Sequence, residues 1–175
     1  LFVKKLYTAQ WAGGMLLTKT AVVTGLTVGL SRALARWRKP FATHDPGKIV
    51  SDLAISLALG GDCLADAALL RSEPAVFGPV ASDPTISRLI SLLAGDAPAV
   101  LKAIDDARAQ ARAQAWRLAG EHAPDHAVSV QRPLIIDVDA PLVTAHSDKQ
   151  NAKPTFKKGY GVHPLCVFVD HGAEG

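Results

Sequence analysis

The sequence predicts an α+β protein in which a helical region, residues 1–125, precedes a strand-rich region, residues 126–175. In the first region, proline repeatedly follows a small polar residue just before an apolar segment with helical spacing, a pattern of helix N-termini. In the second region, valine and isoleucine are concentrated in short segments bounded by proline and glycine, which is typical of strands. Apolar residues make up 49% of the chain and charged residues 20%, which excludes an intrinsically disordered protein. The length fits one domain, or a helical module and part of a second.

Start and stop signals predict four helices in the first region. They are KIVSDLAISLAL after Asp45-Pro46, a short helix over 63–71, TISRLISLLAG after Ser82-Asp83-Pro84, and the longest helix, about 97–119, after Asp96. The longest helix has an apolar stripe with helical spacing. Its members are Leu101, Ile104, Ala107, Ala111, Ala115 and Leu118. Arg108 and Arg112 share another flank, which we interpret as a solvated face in preference to a DNA contact.

Sharp turns between small helices are also compatible with a helix-turn-helix unit. Thr85, Ser87 and Arg88 would then lie in the first turns of a recognition helix, where side chains reach phosphates or base edges. The alternative is a helix that packs in the core and exposes Arg88 to solvent.

The N-terminal stretch WAGGMLLTKTAVVTGLTVGL, residues 11–30, has the length of a membrane span. Lys19 lies near its middle, and a lysine there costs about 2.5–3.5 kcal/mol on insertion scales. Four threonines and four glycines further dilute its apolar character. We therefore favour a segment of a non-membrane protein and keep a membrane-anchored helical protein as the weakest hypothesis.

The two cysteines, Cys63 and Cys166, lie far apart in apolar contexts. We expect free, buried thiols, as in a reducing cytoplasm, in preference to a disulfide. The chain contains neither a CxxC nor an HExxH spacing, so we expect no structural zinc site.

The stretch RPLIIDVDAPLV, residues 132–143, places two aspartates in a run of strand formers. On a strand, Asp137 and Asp139 point to one face together with Ile135. Two carboxylates on one face of a buried strand are costly unless a cation or hydrogen-bond donors compensate them. The alternative is a strand that ends near Asp137, with Asp139 opening a turn. Farther along, PTFKKGYGVH is predicted to form a hairpin with glycines at its bends, and HPLCVFVDH a strand antiparallel to the first.

The net charge is +3 and the isoelectric point about 9, a mild basic bias that is compatible with nucleic acid binding. From residue 144 to 165 a single acid, Asp148, accompanies four lysines, namely Lys149, Lys153, Lys157 and Lys158. These lysines either contact DNA phosphates or form the solvated tip of the hairpin.

Four segments in this order resemble one family. They are LALGGDCLADAALLRSEP (57–74), SDPTISRL (82–89), LIIDVDAPLVTAHSDK (134–149) and PTFKKGYGVHPL (154–165). Together they resemble the N-terminal part of bacterial insertion-sequence DDE transposases, close to insertion-sequence family 1380. The resemblance runs from roughly Trp37 to the C-terminus, whereas residues 1–20 match the family's pattern poorly.

The resemblance implies a helical DNA-binding module, 1–125, followed by the first strands of a ribonuclease-H-like catalytic domain, 126–175. In such enzymes three carboxylates hold two divalent cations, Mg²⁺ or Mn²⁺, for in-line attack on phosphorus. Asp139 matches the first carboxylate and metal ligand, with Asp137 two residues before it, and the lysines would contact DNA. Pro141 departs from the family's pattern. The histidines His146 and His163 are weaker candidates for phosphate or metal-proximal contacts, because a lone histidine more often makes ordinary hydrogen bonds.

The family's second Asp and late Glu have no match in the sequence, because Asp170 follows Asp139 too closely. We therefore expect a truncated, inactive copy of a DNA transposase that acts on terminal inverted repeats. The alternative is a non-catalytic DNA-binding remnant that interferes with intact copies by co-assembly or as a homo-oligomer. The expected location is the bacterial cytoplasm, at the nucleoid and away from the membrane. We also expect a sheet with exposed edges and a loosely packed C-terminal third.

Overall fold

The computed structural model describes residues 2–145, 148, 151–156 and 158–169, with side chains described from residue 12 onward. Its α-helices are α1 (Phe2–Val23), α2 (Leu26–Ala33), α3 (Pro46–Ala58), α4 (Ala67–Arg71), α5 (Pro74–Phe77), α6 (Asp83–Ala94) and α7 (Ala97–Ala119). Short 3₁₀ helices cover Ala35–Trp37, Leu64–Asp66 and Gly120–His122. The strands are β1 (Ile136–Asp139), β2 (Val143–Thr144), β3 (Lys153–Pro154), β4 (Tyr160–Val162) and β5 (Cys166–Val169). This mixture of helices and strands confirms the α+β class.

The chain divides into two compact units, residues 1–115 and residues 116–175, which are described separately. The division falls inside α7, earlier than the predicted boundary between residues 125 and 126. The roles assigned to residues 1–125 and 126–175 stay predictions.

The first two helices are separated by a sharp break. Gly25 adopts φ 76°, a left-handed conformation that favours glycine, and ends α1 while α2 begins at Leu26. The segments Ala12–Val23 and Leu26–Ala33 are bent by 66° relative to each other. Within the described residues no single helix is long and apolar enough to cross a membrane, although the two segments of this bent pair together have the length and composition of a span.

Helix α3 begins as predicted. The carboxylate of Asp45 accepts a hydrogen bond from the Lys48 backbone N–H at 2.9 Å, and Pro46 occupies the first turn. The helix packs closely on α2, because a Cβ added to Gly47 would lie 2.6 Å from the Leu30 carbonyl oxygen. Glycine is therefore needed at this position for the two backbones to approach.

Two apolar clusters form the core of the helical unit. The larger contains Leu34, Ile49, Ala67, Ala81, Ile86, Leu89, Leu93 and Val100. The smaller contains Ile55, Leu70 and Phe77. These residues come from the turn after α2, from α3 through α7 and from the intervening turns, so burial of their side chains holds the short helices together.

Helices α6 and α7 span the predicted residues, but their caps differ from the prediction. The Ser82 hydroxyl caps no backbone N–H and instead lies 3.0 Å from the Thr85 hydroxyl. The Asp96 carboxylate accepts a hydrogen bond from the Trp37 indole N–H at 3.2 Å and pairs with Arg36 at 3.4 Å. Asp96 thus ties the start of α7 to the 3₁₀ turn after α2.

The apolar stripe of α7 is also shifted from the prediction. Val100, Ala107 and Ala111 are buried, whereas Leu101 and Leu118 are 60% and 57% exposed. The buried positions follow the spacing of a helix that contacts its neighbours along one narrow line. Arg108 lies on the solvated face as interpreted, where it pairs with Asp105 at 3.0 Å.

In the second unit, β1 pairs with β5 in antiparallel register, which confirms the predicted pairing of these segments. The expectation of a buried core strand is wrong. All four residues of β1 are exposed, with Ile136 at 54% and Val138 at 61%. Since water solvates the strand, the desolvation cost expected for its two carboxylates does not arise in this arrangement.

The predicted hairpin is confirmed by antiparallel pairing of β3 with β4, and β2 pairs with the other side of β4. The bend falls at Lys158, which adopts φ 61°, and the Thr155 N–H donates to the Gly159 carbonyl at 2.7 Å. Gly161 was predicted to lie at a bend of the hairpin, but it lies within β4. A Cβ there would lie 2.9 Å from the Val143 carbonyl carbon, so glycine allows β2 to approach.

Candidate functional site

The two candidate catalytic residues lie on one face of β1, since Asp137 and Asp139 are separated by two positions on a strand. Their cross-strand neighbours on β5 are Phe168 and Cys166. One oxygen of Asp139, Oδ1, accepts a hydrogen bond from the Ala140 N–H at 2.8 Å, which fixes the orientation of the carboxylate at the strand end. Both carboxylates are exposed to solvent.

A histidine side chain contacts the backbone at the end of this strand. His163 Nδ1 lies 3.0 Å from the carbonyl oxygen of Ala140, the residue that follows Asp139. The segment between β4 and β5 is thereby fixed beside the end of β1. His163 therefore has a hydrogen-bonding role near the candidate metal ligand.

The predicted cationic contacts fall in two groups. Lys153 is exposed on β3, and Lys158 is exposed at the hairpin bend. Lys149, Lys157, His146 and Asp170 lie outside the described residues.

Within the same unit, the Tyr160 hydroxyl donates to Asp148 at 2.9 Å, and this hydrogen bond to a carboxylate raises the pKa of Tyr160.

The helical candidates lie in the first turns of α6. Thr85 accepts a hydrogen bond from the Arg88 guanidinium at 3.1 Å, and Ser87 and Arg88 are exposed. Thr85 and Arg88 also line a cleft of about 120 Å³, whose other wall includes Trp37, Lys39 and His44. The sequence prediction did not include these three residues, which come from the turn before α3.

One further group of metal-ligating side chains was not predicted. Among the described residues, Asp62, Cys63 and Asp66 form the only group of three whose ligand atoms lie within 4.8 Å of one another. Asp66 Oδ2 accepts the N–H groups of Cys63 at 2.9 Å and of Asp62 at 2.8 Å. These hydrogen bonds lower the pKa of Asp66, and they give the carboxylate a structural role at the start of the 3₁₀ turn. The thiols of Cys63 and Cys166 are free as predicted, but the prediction that they are buried is wrong, because Cys63 is exposed and Cys166 is partly exposed.

An ion pair within α3 joins a buried carboxylate to a partly exposed lysine. Asp52 is only 3% exposed and accepts a hydrogen bond from the Lys48 ammonium at 2.6 Å. Burial raises the pKa of Asp52, although Lys48 and His44 act in the opposite direction. The i, i+4 spacing of Lys48 and Asp52 on a predicted helix was the sequence signal for this pair.

Comparison with known proteins identifies the family. The sequence model of the family described as transposase DDE domain group 1 matches residues 9–174. The chain belongs to this transposase family. No curated protein and no solved structure matches the chain. The match begins at residue 9, earlier than the start near Trp37 that was predicted for the resemblance, and it includes residues 9–20 of this transposase chain.

Membership of the family implies that the transposase acts on DNA and that its chemistry depends on a divalent metal ion. The oxygen ligands that Mg²⁺ prefers are present on β1 in the carboxylates of Asp137 and Asp139. Mg²⁺ also keeps several waters and binds through one or two carboxylates together with substrate phosphates, so an exposed pair of carboxylates fits its chemistry.

Proposed function

We propose that this chain serves the transposition of an insertion sequence similar to insertion-sequence family 1380, and that it acts at the terminal inverted repeats. The family match over residues 9–174 supports the reaction class. The observation that carries the assignment of the site is the exposed pair of carboxylates on one face of β1, at the end where Ala140 and His163 fix the strand.

In this proposal Asp139 is the metal ligand and Asp137 a second carboxylate on the same face. A bound Mg²⁺ or Mn²⁺ supplies activation of water or of a DNA 3′-hydroxyl, together with stabilisation of the leaving oxygen. The chain's own groups position the substrate. Lys153 and Lys158, both exposed, neutralise backbone phosphates without reading the base sequence.

The helical unit supplies the contact with the inverted repeats. Ser87 and Arg88 are exposed in the first turns of α6, and Thr85 holds the Arg88 guanidinium through a 3.1 Å hydrogen bond. A guanidinium held in this way loses less conformational freedom when it binds a phosphate or a guanine edge. We assign these three residues to DNA binding.

A second candidate function is DNA binding without catalysis, with co-assembly on intact transposase as its effect. The arrangement of carboxylates favours it. In the part of the chain that the structure describes, the one three-ligand group is at Asp62, Cys63 and Asp66, and neither carboxylate of β1 belongs to it. Two carboxylates hold fewer metal contacts than the three of a complete DDE site.

A cleavage assay separates the two functions. The 175-residue chain is incubated with a labelled inverted-repeat end and Mg²⁺ or Mn²⁺, with EDTA as the metal control, while a gel shift measures binding. Cleavage that Asp139→Asn abolishes and Asp125→Asn preserves supports the catalytic role. Salt-dependent binding without cleavage supports the non-catalytic role. A chain that neither binds nor cleaves the inverted repeat at low salt contradicts both.

A further inference from the structure

The turn before α3 holds an aromatic side chain in an unusual position. Phe41 is fully exposed and adopts φ 60°, a left-handed conformation that bulky residues rarely occupy. The turn is fixed around it, because the Arg38 guanidinium donates to the Ala42 carbonyl at 3.0 Å and the Ala42 N–H donates to the Lys39 carbonyl at 3.2 Å. The turn thus presents the ring to solvent, and burial of the ring does not compensate for the backbone strain.

The sequence that leads up to this turn is cationic. Residues 1–44 contain seven lysines and arginines and no acid, and the first acid is Asp45. The Arg36 guanidinium lies over the Trp37 ring, 4.6 Å from its centroid. Asp96 offsets part of the charge, but its 3.4 Å pair with Arg36 is largely exposed and therefore weak.

The same turn borders the cleft that reaches α6. Lys39 and His44 line one wall of the cleft, and Arg88 lines another. Lys39 and Arg88, which are about fifty positions apart in the sequence, therefore line one cleft whose remaining lining is mostly apolar, and Phe41 is two positions from Lys39. Two cations at one concave surface attract a polyanion.

We propose that Phe41 stacks on an unpaired nucleobase of bound DNA, while Lys39 and Arg88 hold the adjacent backbone phosphates. The inference rests on the proposed function in taking DNA as the ligand. Every base has a π face, so stacking on an exposed aromatic ring tolerates any sequence. A base inside a paired duplex must first be unstacked, at an energetic cost, whereas an unpaired base next to a duplex is already accessible.

The test compares two DNA ligands by fluorescence polarisation with the whole chain. One is a fully paired duplex, and the other is the same duplex with a short single-stranded 3′ overhang. Phe41→Leu keeps an apolar side chain in the same backbone conformation but removes the ring, and Phe41→Trp keeps a ring. We expect Phe41→Leu to weaken binding of the overhang ligand about tenfold. Binding of the paired duplex should change less than about twofold, and Phe41→Trp should retain wild-type binding of both ligands.

Salt dependence tests the phosphate contacts separately. Lys39→Gln and Arg88→Gln should each lower the slope of log Kd against log salt by about one for both ligands. Lys102→Gln is the matched control, because the Lys102 ammonium pairs with Asp106 at 2.7 Å on α7. Its slope should equal that of the wild type.

The outcomes distinguish this inference from the proposed function. If the chain binds both ligands and Phe41→Leu binds the overhang as tightly as the wild type does, stacking by Phe41 is refuted and the proposed function stands. If Lys102→Gln lowers the slope as much as Lys39→Gln does, the cleft is not the phosphate site. If the wild type binds neither ligand at low salt, the inference and the proposed function fail together.

Discussion

Replacement of Gly47 by alanine should strongly destabilise the helical unit. An added Cβ would lie 2.6 Å from the Leu30 carbonyl oxygen and would also clash with the Leu30 carbonyl carbon and the Ser31 nitrogen. Carbon and oxygen normally approach no closer than about 3.3 Å, so this contact alone would require α2 and α3 to separate by about 0.7 Å, and the two closer contacts require more. The obstacle is helix backbone, which cannot rotate away as a side chain can. We expect the free energy of unfolding to fall by about 2–3 kcal/mol, within the range for overpacked sites.

Urea denaturation followed by circular dichroism at 222 nm measures this loss. Gly13→Ala is the matched control, because it makes the same substitution within α1, where an added Cβ meets no heavy atom within 4 Å. It should leave stability unchanged or raise it by up to about 1 kcal/mol, since alanine is the better helix former. A Gly47→Ala protein with the same denaturation midpoint as the wild type would refute close packing of α2 on α3.

Three further perturbations test other contacts. Burial raises the pKa of Asp52 above its ordinary value of 3.8. The contribution of Asp52 to the free energy of unfolding should therefore fall as the pH rises from about 3.8 to the higher pKa of the folded state. Asp52→Asn should remove this fall, as measured by urea denaturation at several pH values. Gly161→Ala should disrupt the pairing of β2 with β4, because its Cβ would meet the Val143 carbonyl; faster amide hydrogen exchange in these strands would show it, and unchanged protection would contradict it. Asp96→Asn keeps an acceptor for the Trp37 indole but removes an acid, so duplex DNA should bind about threefold tighter in polarisation assays, and unchanged affinity would count against a DNA surface there.

Helix positions could be predicted from the sequence because their signals are local. Asp45 caps its own helix three residues away, and Pro46 fixes the first turn, so the start of α3 needed no knowledge of the rest of the fold. Asp96 had the same local pattern but binds Trp37, 59 positions earlier in the chain. A tertiary partner of this kind competes with the backbone for the carboxylate and leaves no trace in the neighbouring sequence.

Prediction of the site was less complete. The pairing of β1 with β5 followed from two runs of strand formers, but their exposure did not, because burial depends on what covers a sheet. The cationic turn around Phe41 was missed, although the sequence carried a signal for it. Because no acid precedes Asp45, the N-terminal quarter of the chain is a candidate surface for binding a polyanion.

The break at Gly25 also changes the dimensions of the apolar stretch that contains it. As one continuous helix, residues 12–33 would be about 33 Å long, which matches the hydrocarbon thickness of a bilayer. The break instead leaves residues 12–23 in α1 and residues 26–33 in α2, two segments that are bent by 66° relative to each other. A single residue in the left-handed conformation therefore replaces one straight apolar rod with two helices that point in different directions.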